Sequence, residues 1–256
     1  MIFYPSFVAI QSTLLREAIV LFGITTAARL LIIRPTELRS QLPRYAFTVG
    51  VLAVAYIHRT ANAVIYAAAL GAALLIFAVE RDYLSKQTLG AGIALSPVAL
   101  FISLPIVQRG IQFLSRTREL RAEGRAIYFP DIAPQTITEF LGFSWIGAGY
   151  FLYAPLPWMI ETIPDLISGI EGIINLSFTL GAIWGVRVLW KKNAAGTVGL
   201  LVGLGVAVTF YGVGTANYGA AVRHRQMFIW VIFLFGGIGI SEYVRFKWPF
   251  TRSGAS

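Results

Sequence analysis

Residues 195–214 read AGTVGLLVGLGVAVTFYGVG, and residues 227–244 read MFIWVIFLFGGIGISEYV; between them lies Thr215-Ala216-Asn217-Tyr218-Gly219-Ala220-Ala221-Val222-Arg223-His224-Arg225-Gln226. The first run carries no charge and matches the roughly 20 residues that a helix needs to cross a bilayer. An apolar run, a short basic hinge and a second apolar run describe a loop at a membrane boundary. The apolar surroundings give Arg223 and Arg225 no packing task, so two permanently charged forks stand ready for phosphate or carboxylate.

The rest of the chain repeats this pattern. Hydrophobic residues make up 57% of the 256 and charged residues 13%. Further apolar runs at 61–79, 88–107, 140–158 and 166–190 have spanning length. Residues 7–33 are long enough but carry Arg16, Glu17 and Arg29, which suits a tilted span or an interfacial helix. Residues 46–57 are too short to cross alone. The expectation is an all-α, polytopic transmembrane helix bundle of six or seven spans in a cell membrane. Residues 1–107 form its first block and 108–139 an arginine-rich cytoplasmic linker. Residues 140–256 form a second block, which holds all six tryptophans. In the linker, Ile111, Leu114 and Leu120 beside arginines read as an amphipathic helix, and Pro130 and Pro134 as an extended strap after it.

No basic leader with a small-residue cleavage site precedes the first apolar run, so the chain is expected to insert through its own spans. The absence of cysteine excludes disulfides, thiolate chemistry and cysteine-bound metal. His58 and His224 stand far apart, which leaves no metal site in view and no cofactor motif. The net charge of +9 reads first as a topological signal and not as a nucleic-acid footprint. Arg109, Arg116, Arg118, Arg121 and Arg125, then Arg187, Lys191 and Lys192, then Arg245, Lys247 and Arg252 mark three cytoplasmic connections. Residues 161–165 lack Lys and Arg and fall outside, and alternation then places the 217–225 hinge outside as well.

Four features could carry chemistry. Ser168, Glu171, Asn175 and Thr179 lie at offsets of 0, 3, 7 and 11, one stripe on a helix turning about 100° per residue. Such a stripe turns its carboxylate to the bundle interior; near the span's end Glu171 could equally reach headgroups or an arginine. The pairs Gly181/Gly185 and Gly199/Gly203 let helix backbones approach closely, and neither is a nucleotide loop. In Tyr150-Phe151-Leu152-Tyr153-Ala154-Pro155-Leu156-Pro157-Trp158 the two prolines end a helix. Trp158 then serves as an interfacial anchor, or the break lines a ligand. Arg223 and Arg225 share a face only in an extended or turning loop; otherwise they meet lipid phosphates separately.

The Tyr150–Trp158 block, Glu171 in the next span, the Asn217-x-Gly219-x-x-x-Arg223-His224-Arg225 hinge and a final apolar helix together resemble the C-terminal half of O-antigen polymerase-like, glycosyltransferase-like membrane proteins of surface-polysaccharide clusters. The linker end Arg125-Ala126-Ile127-Tyr128 is similar in character to the segment before that block. The resemblance implies a lipid-pyrophosphate-linked saccharide as ligand. It makes Asn217, Arg223, His224, Arg225 and Trp158 the substrate-binding residues and Glu171 the catalytic base. Membrane lipids and other membrane subunits or a second copy are the expected partners. A non-catalytic or transporter-like subunit, and a structural protein of an envelope or virion, fit the same residues.

Overall fold

The computed structural model describes residues 62–243 and the isolated positions 25, 46, 49, 50, 53 and 57. Among these residues lie seven α-helices: α1 (Ala63–Glu80), α2 (Lys86–Leu120), α3 (Ile137–Tyr153), α4 (Ile163–Lys192), α5 (Ala194–Gly214), α6 (Tyr218–Arg225) and α7 (Ile229–Tyr243). A 3-10 turn occupies Pro157–Met159, and one antiparallel bridge joins Ile127 to Asn217. The expected span at 7–33, the short run at 46–57 and the tail with Arg245, Lys247, Trp248 and Arg252 lie outside the described residues.

Polar residues start the helices. Ser85 accepts from the Thr88 amide, Thr136 from Glu139, Asn193 from Gly196 and Asn217 from Gly219 and Ala220, each taking up amides that a helix start leaves unpaired. The start of α4 is a capping box: Thr162 accepts from the Asp165 amide, and the Asp165 carboxylate accepts from the Thr162 amide. Asn193 alone separates α4 from α5, so the two run in opposite directions.

Small residues set the packing. The Gly199 and Gly203 face of α5 lies on Ala69 and Ala73 of α1, and the Gly181 and Gly185 face of α4 lies on Phe235, Gly236 and Gly239 of α7. A Cβ on any of these glycines would enter a neighbouring backbone or alanine, so backbone proximity is what each face supplies. Both glycine pairs meet neighbouring helices, as the sequence predicts. The opposite face of α4 is apolar and exposed, with Leu166, Ile170, Ile173, Leu176, Leu180 and Ile183 among its residues. That pattern belongs to a helix facing lipid.

The all-helical bundle agrees with the sequence, and the chain has the character of a membrane protein. By length and composition α4 and α5 can cross a membrane, and α6 with α7 can form a third crossing bent by 63°. The expected span at 140–158 is interrupted: α3 stops at Tyr153, because Pro155 holds Ala154 extended at φ −69°, ψ 152°. The expected span at 88–107 and the linker helix are one unbroken helix, α2, so the 107/108 boundary falls inside it.

The ends of the helices correct the expected orientation. Tyr128 donates its amide to Ala216 and Tyr218 donates to Ala126, both at 2.9 Å. Arg125 reaches Asp165 at 2.9 Å and Glu161 at 3.0 Å. The linker end, the 161–165 turn and the hinge therefore meet at one end of the bundle, and linker and hinge cannot face opposite compartments. Residues 129–160 leave and return at that same end, so 140–158 is not a lone crossing. The charge rule separated linker from hinge because it counts Arg118 and Arg125, which the fold uses internally.

Candidate functional site

Three helix ends converge around Arg225, the last residue of α6. Its Nη1 donates to the carbonyls of Ala154 at 2.7 Å and Leu152 at 3.2 Å, and its Nη2 lies 3.7 Å from Glu171 Oε2. Asn175, one turn below Glu171 on α4, donates to the same Leu152 carbonyl at 3.0 Å. Beyond Tyr153 the α3 backbone has lost its helical partners, and a cation and an amide have replaced them. Gly172 and Gly169 make this possible: the Tyr153 carbonyl lies where a Cβ on Gly172 would be, and Ile160 and the Pro155 carbonyl crowd Gly169. Residues 154–162 thus retrace the first turns of α4 from Gly172 back to Thr162.

The inward stripe on α4 is observed. Glu171 and Asn175 are buried, and Thr179 accepts from the Tyr153 hydroxyl at 3.1 Å. Glu171 and Arg225 have relative side-chain exposures of 1% and 0%, so the pair is sealed in this conformation and does not line an open cavity. Two nitrogens of Arg225, Nε and Nη2, have no hydrogen-bond partner, and neither has the Gln226 side-chain amide, which is also fully buried.

The other sequence candidates have separate positions. The hinge is helical over Tyr218–Arg225, so Arg223 and Arg225 diverge by about 200° instead of sharing a face. Arg223 is partly exposed while Arg225 points into the bundle. His224 is buried against the Tyr211 ring, 5.0 Å between centroids. Asn217 caps α6 and donates to the Glu123 carbonyl at 3.0 Å, a structural task. Trp158 lies on the 3-10 turn with three quarters of its surface exposed, which suits an anchor in the interface. Arg225, Glu171 and the α3 break are brought together; Arg223, Asn217 and Trp158 are not part of that cluster.

A second arginine centre escaped the sequence reading. Arg118 is buried and donates to Ile132 and Tyr128 at 2.8 Å, to Phe129 at 3.0 Å, and to Thr215 and Val213, all through main-chain carbonyls. Its guanidinium also lies over the rings of Phe143 at 4.8 Å and Tyr128 at 5.3 Å. It fastens the strap and the end of α5 to α2. Burial pushes the Tyr128 phenol up to about 12. Nearby, Arg125 holds Asp165 through two nitrogens and Tyr218 through one, and those carboxylate bonds raise its own pKa. Among the described residues no group of three His, Asp or Glu could hold a metal.

Comparison with known proteins adds no relative: no family model, curated protein or solved structure matches the chain.

Proposed function

We propose that this protein is an integral membrane component of cell-surface glycan assembly that binds the anionic head group of a lipid-pyrophosphate-linked saccharide. The observation that carries the reading is the meeting of Arg225, Glu171 and the broken end of α3. An ionisable pair inside an apolar bundle, placed where a helix is interrupted, is a site before it is a scaffold. The resemblance supplies the glycan. Two crossings by α4 and α5 and a third by the bent α6–α7 pair support the membrane placement.

Binding is favoured over catalysis. Glu171 is sealed and ion-paired with Arg225, so an acceptor hydroxyl reaches it only after the end of α3 moves away. A subunit that recognises the carrier, with chemistry supplied by a partner, fits this better than a base poised for proton abstraction.

The test is binding of a polyprenyl-pyrophosphate saccharide by the purified full chain in maltoside micelles, compared with the matching polyprenol. A clear preference for the pyrophosphate form, lost in Arg225→Ala, is expected. Equal affinity for the two lipids ends the glycan reading.

A further inference from the structure

The guanidinium of Arg225 is used on one side only. Nη1 holds the two α3 carbonyls, whereas Nε and Nη2, which together form the edge that grips an oxyanion bidentately, make no hydrogen bond. The neighbouring Glu171 sits at 3.7 Å, in range for charge but not for a hydrogen bond. One residue on, at the 63° bend between α6 and α7, Gln226 is buried with both amide atoms unpaired. Leaving buried donors without acceptors costs roughly 1–3 kcal/mol per group, more for a charged one. Two such groups at one helix break mark a place built for a ligand.

Charge balance says how the ligand is taken. Arg225 and Glu171 together are neutral. A monoanion added to them would leave one uncompensated negative charge in a low-dielectric interior, which is prohibitive. Protonating Glu171 restores neutrality and releases Arg225 to the newcomer. We propose that Arg225 and Glu171 form an anion-for-proton exchange site, in which a phosphate oxyanion docks on the Nε–Nη2 edge, once the end of α3 moves aside, as Glu171 takes up one proton. This deepens the head-group reading and rests on it for the place of the ligand. Other titratable groups on the surrounding helices have their own settings. Tyr153 of α3 is bonded to Thr179, Tyr211 of α5 packs at a tilt against His224 of α6, Arg223 projects from the other side of α6, Asp165 of α4 is held by Arg125, and Glu242 lies at the far end of α7.

The test uses the full chain in maltoside micelles, which carry no phosphate, and reads affinity from ligand-induced thermal stabilisation. The probe is dimethyl phosphate, a monoanion throughout, so its own charge does not change with pH. One proton taken up per anion predicts affinity that rises as the pH falls, by up to about tenfold per pH unit. Glu171→Gln keeps the shape and removes the exchange, so this variant binds tightly with no pH dependence. Arg225→Lys, lacking the planar edge, loses binding at least tenfold. Inorganic phosphate and phosphatidylglycerol, added separately, distinguish a free from a lipid-borne ligand; stabilisation by either supports the site. Absence of stabilisation by all three anions, wild-type binding indifferent to pH, or Glu171→Gln binding that keeps the pH slope overturns it. If dimethyl phosphate binds with the slope but the polyprenyl pyrophosphate is not preferred over the polyprenol, the exchange site stands and the glycan reading falls.

Discussion

Arg118 shows how a side chain can be legible and still be misread. It lies seven residues after Ile111 and four after Leu114, on the same helical stripe, and all three are buried while Leu120 is 72% exposed. Position counted for more than chemistry, because a guanidinium can be buried when backbone carbonyls surround it. Five carbonyls need donors in several directions, and a lysine supplies a point charge. Arg118→Lys should therefore lower stability by about 2 kcal/mol or more in tryptophan-monitored unfolding. The exposed Arg116→Lys should stay within about 0.5 kcal/mol of wild type. Tyr128, beneath the guanidinium, is buried with its hydroxyl unpaired, so Tyr128→Phe should gain about 1 kcal/mol. Its pKa is raised from 10.0 to about 12 in the fold. The stability tied to the neutral phenol is present below pH 10.0 and is lost as pH rises towards 12, a difference of about 3 kcal/mol in an alkaline titration that Tyr128→Phe should remove.

The elements were legible wherever small residues or prolines spoke for them. Gly181/Gly185 and Gly199/Gly203 each found a helix, and the prolines after Tyr153 ended α3. What the sequence did not reveal is that the α3 break lies against the side of α4. That depends on Gly169 and Gly172 admitting the returning chain, a long-range fit without a local pattern. The hinge was misread for a related reason. Asn217 is an N-cap, and the eight residues after it wind into a helix, which separates the two arginines. Identical substitutions at two glycines should then differ in sign. At Gly185 a Cβ would overlap the Phe235 carbonyl, and Gly185→Ala should force α4 from α7 at a cost on the order of 3 kcal/mol. A Cβ at Gly205 of α5 meets nothing within 4 Å, and Gly205→Ala should stabilise by about 0.5–1 kcal/mol through lower backbone entropy in the unfolded chain. Thermal unfolding of both in the same micelle decides it; equal effects would mean that α4 and α7 are not in backbone contact.

Membrane character was written in composition, but orientation was not, because the charge rule treats every loop arginine as free. Arg118, Arg125 and Arg225 are engaged by carbonyls and carboxylates inside the fold. With these set aside, the basic groups that remain informative include Lys191 and Lys192 at the end of α4, away from the Asp165 end where linker and hinge meet. At about 1.5 Å per residue, the 30 residues of α4 separate those ends by roughly 45 Å, more than a hydrocarbon core. The charge rule applied to Lys191 and Lys192 predicts a cytoplasmic placement of that end, and with it an external linker end, 161–165 turn and hinge. A chain without cysteine allows this to be read one position at a time. Arg121, Glu161 and Lys192 are all exposed. In intact cells an impermeant maleimide should label Arg121→Cys and Glu161→Cys, and should reach Lys192→Cys only after permeabilisation. Labelling of Glu161→Cys without Arg121→Cys would restore a cytoplasmic linker, and would then contradict the hydrogen bonds joining Ala126 and Tyr128 to the hinge. Labelling of Lys192→Cys alone would invert the whole molecule while leaving those bonds intact, and would place the Arg225 site at the cytoplasmic end.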